Sequence, residues 1–268
     1  SIVTSGVTLD LNGFALYGDG FQTADGIAGG AFENAISILN GRVIGWRTGI
    51  TFPASSRDVH IDRIQAANNG TGIFVASPTS RITDCSATDN TGLGITTAAG
   101  VSIAGCSATG NGSWGFNLGD SNAISDCIAS SNGGGIVTGA SATIANCTVT
   151  GNSGAGISIG DHGRIESADV TLNKGDGITA QSNSHISDTT SSGNGGLGIS
   201  LSGESNVVSD CVASGNTATG IQVASGSTVE NCSVLSNDGN GIQTDGRVLI
   251  RHNHVRRNGS VGIVFSGL

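Results

Sequence analysis

The chain contains no methionine, only 2 prolines in 268 residues, and charged residues amount to just 12%. A chain that begins at Ser1 and holds no methionine is expected to be a processed product, a removed export signal being one route, or a piece of a longer chain. So few charges and prolines beside 45 glycines is not the composition of an ordinary globular mixture and points to a repetitive architecture. Cations are scarce too. Lys+Arg 11 against Asp+Glu 20 gives a net charge of -9, which argues against a partner rich in phosphate and against an anionic membrane surface. No apolar run approaches the roughly 18 residues of a spanning helix, and the amino terminus has neither the basic start nor the apolar core of a signal peptide. Nucleic-acid binding and membrane insertion are therefore not expected.

What the sequence has instead is a beat. A glycine followed by a large apolar residue recurs at Gly49-Ile50, Gly72-Ile73, Gly94-Ile95, Gly115-Phe116, Gly135-Ile136 and on to Gly262-Ile263, at intervals of 20 to 23 residues. An asparagine keeps the same interval through Asn69, Asn90, Asn111, Asn132, Asn152 and onward to Asn258. A period in this range changes the reading of the whole chain. Within each unit, apolar positions alternate over three short stretches punctuated by Gly, Ser, Asn and Asp, which reads as strands separated by turns. The stretches are too short for amphipathic helices, and a leucine frame is absent. The pattern predicts an all-β, single-stranded right-handed parallel β-helix, a solenoid of about 11 to 12 coils of 20 to 23 residues with three short strands per coil. At about 4.8 Å between stacked strands, the coils from Gly49 to Gly262 would form a rod on the order of 50 Å. One domain over 1–268 is expected, with irregular coils in 1–48 and regular repeats in 49–268.

The columns of such a stack carry physical meaning. In the coil from Gly220, Ile221, Val223, Val229, Cys232 and Val234 are expected inside, and Gln222, Ala224, Glu230 and Ser233 outside or in turns. Asp84, Asp126, Asn146, Asp188, Asp210 and Asn231 fall at one bend, where a left-handed backbone is tolerated by Asn and Asp. The other asparagine column, carrying Asn216, is expected to turn inward and satisfy buried backbone groups. Cys85, Cys106, Cys127, Cys147, Cys211 and Cys232 share one inward column. Parallel side chains do not converge on a zinc ion and hold their Cβ atoms beyond the usual disulfide separation, so free, buried thiols acting as small apolar fillers are expected, with vertical disulfides as the alternative.

The opening GVTLDLNGFAL, the segment AISILNGRVIGWRTGI and the units after it resemble the right-handed β-helix proteins of the pectin-lyase-like superfamily, over nearly the whole chain. That resemblance implies the fold. It leaves activity open, because the superfamily holds lyases, hydrolases, epimerases, tail spikes and inert surface proteins.

The polygalacturonase pattern of that group is matched only loosely. Asp176 in NKGDGI and Asp161, His162 and Arg164 in GDHGRIE are the candidate catalytic residues. The positions beside Asp176 in adjacent coils are Ala155 and Leu197, so no second carboxylate stands at the separation that glycoside hydrolysis needs, and a turn role for Asp176 is favoured. The outward column after each Gly-Ile step carries no charge, so calcium, which takes 6 to 8 oxygens, is not indicated and no cofactor or metal is expected. Short turns leave no walls for a groove, and a flat prism is expected. Trp46 and Trp114, in turns three coils apart, are candidates for stacking on sugar rings, against ordinary turn packing. RHNHVRRNG, Arg251 to Gly259, reads as the only basic cluster and as a solvated last coil. The irregular loop from Tyr17 to Asn34, with Asp19, Asp25 and Glu33, is the one place where a binding site or a cap would hide.

These features favour a secreted or cell-surface element with a structural or carbohydrate-binding role, its partner a polysaccharide or cell-surface glycan. The alternatives are a polysaccharide lyase or glycoside hydrolase, which only the resemblance supports, and a filament subunit that stacks end to end. Flanking domains, or self-association of the ends, would cover the terminal coils.

Overall fold

The computed structural model describes residues 1–20 and 23–266. Two residues of the irregular loop, 21 and 22, and the last two residues of the closing GIVFSGL lie outside the described residues. The chain packs as two compact units, 1–138 and 139–268. Among the described residues there is no α-helix.

The N-terminal unit is a parallel β-solenoid with three faces. The first face is formed by the strands Ile27–Ala28, Thr48–Phe52, Thr71–Val75, Ile95–Thr97, Trp114–Leu118 and Gly134–Thr138, the stretches that follow the Gly-Ile steps. Its register stacks Ile50 on Ile73, Ile73 on Ile95 and Ile95 on Phe116. The long strands Asn34–Ile44 and Arg57–Ala67 bend sharply at Asn40 (φ 54) and Arg63 (φ 51), so that each serves both remaining faces. Later coils split the same path into short pieces such as Arg81–Thr83 and Ser86–Thr88. Ile38, Ile61, Ile82, Ile103 and Ile124 stack in register behind the second face and are at most 1% exposed. Each such side chain contributes about 1.5–3 kcal/mol by leaving water, and the repeat multiplies the gain.

The C-terminal unit has the same plan. Ile157, Ile178, Ile199, Ile221 and Ile242 stack on one face. Ile165, Ile186, Val208 and Val229 stack on the second. In the coil from Gly220, the five residues expected inside are buried and the four expected outside are half-buried.

The bends are where the backbone is unusual. Asp84, Asp126, Asn146, Asp188, Asp210 and Asn231 all hold φ between 50 and 56, as the sequence predicts for Asx residues. Two further left-handed positions per coil carry residues such as His162 (φ 58), Leu172 (φ 56) and Ser205 (φ 61).

Buried bends need partners for their amides, and two columns supply them. In the N-terminal unit the Asn90 amide N–H donates to Asn111 Oδ1 at 3.1 Å and the Asn90 Nδ2 to the same oxygen at 2.8 Å. In the C-terminal unit Asn194, Asn216 and Asn237 repeat this arrangement. The cysteine column does the same with sulfur. The Ile64 N–H donates to Cys85 Sγ at 3.4 Å, the Cys85 N–H to Cys106 Sγ at 3.4 Å, and the Cys85 Sγ in turn donates to the Thr83 carbonyl at 3.1 Å. All six cysteines are free and buried. They are thus free thiols, as one sequence alternative has it, yet the description as apolar fillers is incomplete: the sulfurs accept bend amides, and Asn253 and Thr189 take that part at their coils. The hydrogen bond with Cys106 and burial together push the Cys85 thiol far up, as Cys232 and burial do for Cys211.

Candidate functional site

The segment Arg57-Asp-Val-His-Ile-Asp-Arg63 opens the strand Arg57–Ala67. Period-2 alternation buries Val59 and Ile61, at 1% and 0% exposure, and turns His60 and Asp62 outward. The next coil presents Arg81–Thr83 in parallel register, with Arg81 beside His60 and Thr83 beside Asp62. At the entry to both strands the chain bends through left-handed residues, Asp58 (φ 53) and Thr79 (φ 58), whose side chains are joined by a hydrogen bond from the Thr79 hydroxyl to Asp58 Oδ1 at 2.7 Å. Between them is a recess of about 210 Å³, lined by Asp58, Val59, His60, Thr79 and Arg81. That is below the roughly 300 Å³ at which pockets for whole small molecules begin, and suits one residue of an extended chain lying over the sheet.

The electrostatics are specific. Thr83 donates its hydroxyl proton to Asp62 Oδ1 at 2.7 Å, and Arg63 Nε lies 2.9 Å from Asp62 Oδ2, so both carboxylate oxygens are occupied. With that proton committed, Thr83 Oγ1 can only accept from His60, whose Nε2 lies 3.2 Å away. His60 is therefore the Nε2–H tautomer, and Nδ1 keeps its lone pair. Desolvation holds the imidazole below its ordinary pKa, the Arg81 charge adds to the effect, and Asp62 opposes it. The ring is neutral at pH 7. Arg81 makes no ion pair among the described residues and is exposed. An uncommitted guanidinium beside a neutral imidazole can take a carboxylate on its forked donors and accept a hydroxyl proton on Nδ1.

The sequence candidates lie elsewhere, in the C-terminal unit, and are not brought together. Asp161 Oδ1 accepts the Ser182 N–H at 2.9 Å in the bend after the strand Ile157–Ile159. Asp176 Oδ1 accepts the Leu197 N–H at 2.7 Å in the bend before Ile178–Ala180, so the two carboxylates flank opposite ends of one strand pair. A Cβ on Gly196 would come within 2.1 Å of that Asp176 oxygen, which ties the neighbouring glycine to the cap. His162 is exposed at a left-handed bend. Arg164 lies outward on the following strand and donates to Glu166 Oε2 from Nε and an NH2 group at 3.2 and 3.1 Å.

The two tryptophans are half-buried. Trp46 Nε1 donates to the Leu16 carbonyl at 3.2 Å, and the indole of Trp114 lies over its register partner Gly134, where a Cβ would come within 2.6–2.8 Å of the ring. The Trp114 ring thus has one face laid on the neighbouring coil. In the irregular loop, Asp25 is held by Arg47 at 3.0 and 2.7 Å, a hydrogen-bonded pairing that lowers its pKa, and Glu33 is buried. Among the described residues no group of three or more His, Cys, Asp or Glu is placed to hold a metal ion, and no helix is long and apolar enough to cross a membrane.

One sequence expectation needs correction. The surface is not uniformly flat, because the bends at Asp58 and Thr79 hold a recess between them. The column after the Gly-Ile steps lies on a different face and gives no sign of it. The available signal was the spaced triplet Asp58-x-His60-x-Asp62 with an arginine one coil, 21 residues, further on.

The family model described as right handed beta helix region matches residues 26–172 and 161–268. No curated protein matches the chain by sequence. Several solved structures resemble it, three of them as follows. The mannuronan C-5 epimerase A-module AlgE4 of Azotobacter vinelandii is 16% identical with a TM-score of 0.57, over 98% of this chain and 76% of that one. The Dettilon tailspike protein gp208 is 14% identical with a TM-score of 0.68, over 85% and 62%. A point mutant of the periplasmic alginate epimerase AlgG is 14% identical with a TM-score of 0.64, over 88% and 66%. The chain thus spans 62 to 76% of their lengths, and at these identities the likeness is one of fold.

Proposed function

This chain belongs to the right-handed β-helix family, and from that premise we propose that it binds an acidic polysaccharide, with one uronate residue seated in the recess between Asp58, His60, Thr79 and Arg81. The observation that carries the reading is the Arg81 guanidinium, free of any ion pair among the described residues, in register with a neutral histidine. In a chain of net charge -9, long-range attraction for a polyanion is absent, so recognition must come from such a local arrangement. Two of the similar structures are named as enzymes of alginate or mannuronan, and both polymers are uronans. Such a partner is met outside the cell or at its surface. Asp58 limits which sugars fit: its carboxylate repels a second negative charge and accepts a ring hydroxyl. A glycan array tests the reading: acidic glycans bind and their neutral counterparts do not, and equal binding of both would refute it.

A second reading, catalysis on the same polymer, has one specific observation in its favour. The His60–Thr83–Asp62 chain fixes the imidazole with an unprotonated Nδ1, the form a general base needs, beside the cation that would bind the substrate carboxylate. Proton removal from the carbon bearing that carboxylate leads either to elimination or to reprotonation on the opposite face. Absorbance from unsaturated ends reports the first, and solvent deuterium incorporation without chain cleavage reports the second. Neither signal, from a protein that binds the polymer, leaves binding alone.

A further inference from the structure

One outward register position on the second face is not ionisable in most coils: Ser37, Ser102 and Ala123 in the N-terminal unit, Thr143, Val207 and Thr228 in the C-terminal unit. The exceptions come as neighbours. In the N-terminal unit they are His60 and Arg81. In the C-terminal unit they are Arg164 and His185, again register partners. Two residues further along, the carboxylate–hydroxyl pair Asp62 and Thr83 has its counterpart in Glu166 and Ser187, also register partners. Each unit thus has one His–Arg pair beside one carboxylate–hydroxyl pair, with His and Arg exchanged between the two coils.

The exchange changes the chemistry. With His60 on the Asp62 strand, the aspartate is taken by Thr83 and Arg63, and Arg81 stays free. With Arg164 on the Glu166 strand, the arginine reaches its own neighbour, and both hydrogen bonds go to the single oxygen Oε2. That pair is exposed, with side-chain accessibilities of 47% and 44%, and exposed pairs are held weakly. An incoming carboxylate can displace Glu166 from the guanidinium at small cost, and the half-buried His185 flanks it as Arg164's register partner.

We infer that Arg164 and His185, with Glu166 displaced on binding, form a second, weaker subsite for a sugar carboxylate, one that takes the same class of acidic polysaccharide as the recess of the N-terminal unit. The inference rests on the proposed function for the nature of the ligand, and on the C-terminal unit alone for the site.

Calorimetric titration with an alginate tetrasaccharide tests it. Wild-type protein shows two binding events per chain, the second several-fold weaker. Arg164→Ala/His185→Ala removes the weaker event and leaves the tighter one, while Arg81→Ala does the reverse. All three side chains face outward, and an unchanged thermal melt confirms that the fold is retained. A single event that survives Arg164→Ala/His185→Ala and is lost in Arg81→Ala overturns the second subsite and leaves the first intact. Loss of the only event in Arg164→Ala/His185→Ala, with Arg81→Ala silent, keeps the subsite and overturns the first. No binding by the wild type overturns both.

Discussion

His60 and Arg81 stand side by side in adjacent parallel strands, 21 residues apart in sequence and in direct register. Burial disfavours protonation of the imidazole, and the Arg81 cation, on a strand about 4.8 Å away, adds to the effect. Four further expectations follow from this site and from the columns behind it.

His60 resists protonation in the fold and takes a proton readily when unfolded, near pH 6.5. Its contribution to stability is therefore complete above that pH and is lost as pH falls toward the depressed folded value. In urea titrations from about pH 7.5 to about pH 5.5, His60→Gln shows a shallower loss of stability than wild type. Identical slopes would mean that the ring is not held neutral.

The sulfur of Cys106 accepts the Cys85 amide, so hydrogen-bonding capacity decides what can replace it. Cys106→Ser keeps an acceptor and is tolerated better than Cys106→Val, which leaves the amide unpaired at about 1–3 kcal/mol. Denaturant midpoints in the opposite order would restore the simple filler description. In the native protein all six thiols, at most 2% exposed, react with a thiol reagent only on unfolding.

Asn216 Oδ1 accepts from both the amide and the side chain of Asn194. Asn216→Leu leaves the Asn194 N–H without an acceptor in the interior, while Asn194 Nδ2 keeps the Val170 carbonyl and the Ser191 hydroxyl, and is expected to cost about 1–3 kcal/mol, read as a fall in the thermal midpoint. A half-buried, outward serine on the third face, such as Ser214, changed to alanine serves as the near-neutral reference.

Thr244 is fully buried, and its hydroxyl has no hydrogen-bond partner among the described residues, as is the case for Thr97. Thr244→Val replaces that hydroxyl by a methyl group of nearly the same size and raises stability by about 1 kcal/mol. A loss would indicate a partner for the hydroxyl.

The architecture is legible in the sequence because what holds a coil together recurs: Gly-Ile at the entry to the first face, Asn at the inward turn, Asx at one bend. The limits of that legibility are physical as well. Left-handed bends at His162 and Leu172 carry no Asx or glycine mark, since stacking on the coils around them supports a conformation their own residue types disfavour. The hydrogen-bonding part of the cysteines was missed because sulfur is read first as an apolar group. The recess was missed for a deeper reason. Repeats advertise their constant positions, whereas the triplet Asp58, His60 and Asp62 occupies outward positions whose residue changes from coil to coil, as from His60 to Arg81, Ser102 and Ala123. Asp161 and Asp176 stand out in the sequence as charges near a glycine, and both carboxylates cap the turn of the next coil.

The central claim is that an acidic sugar sits against His60 and Arg81. Imidazole ¹H–¹⁵N spectra recorded during titration with an alginate trisaccharide test it most directly. The account predicts that the free protein shows His60 as the neutral Nε2–H tautomer, that its signals shift with added trisaccharide, and that Arg81→Ala weakens the response by about tenfold or more, as loss of a charged hydrogen-bonding partner implies. Binding that leaves the His60 signals in place, or that Arg81→Ala leaves unchanged, would contradict it.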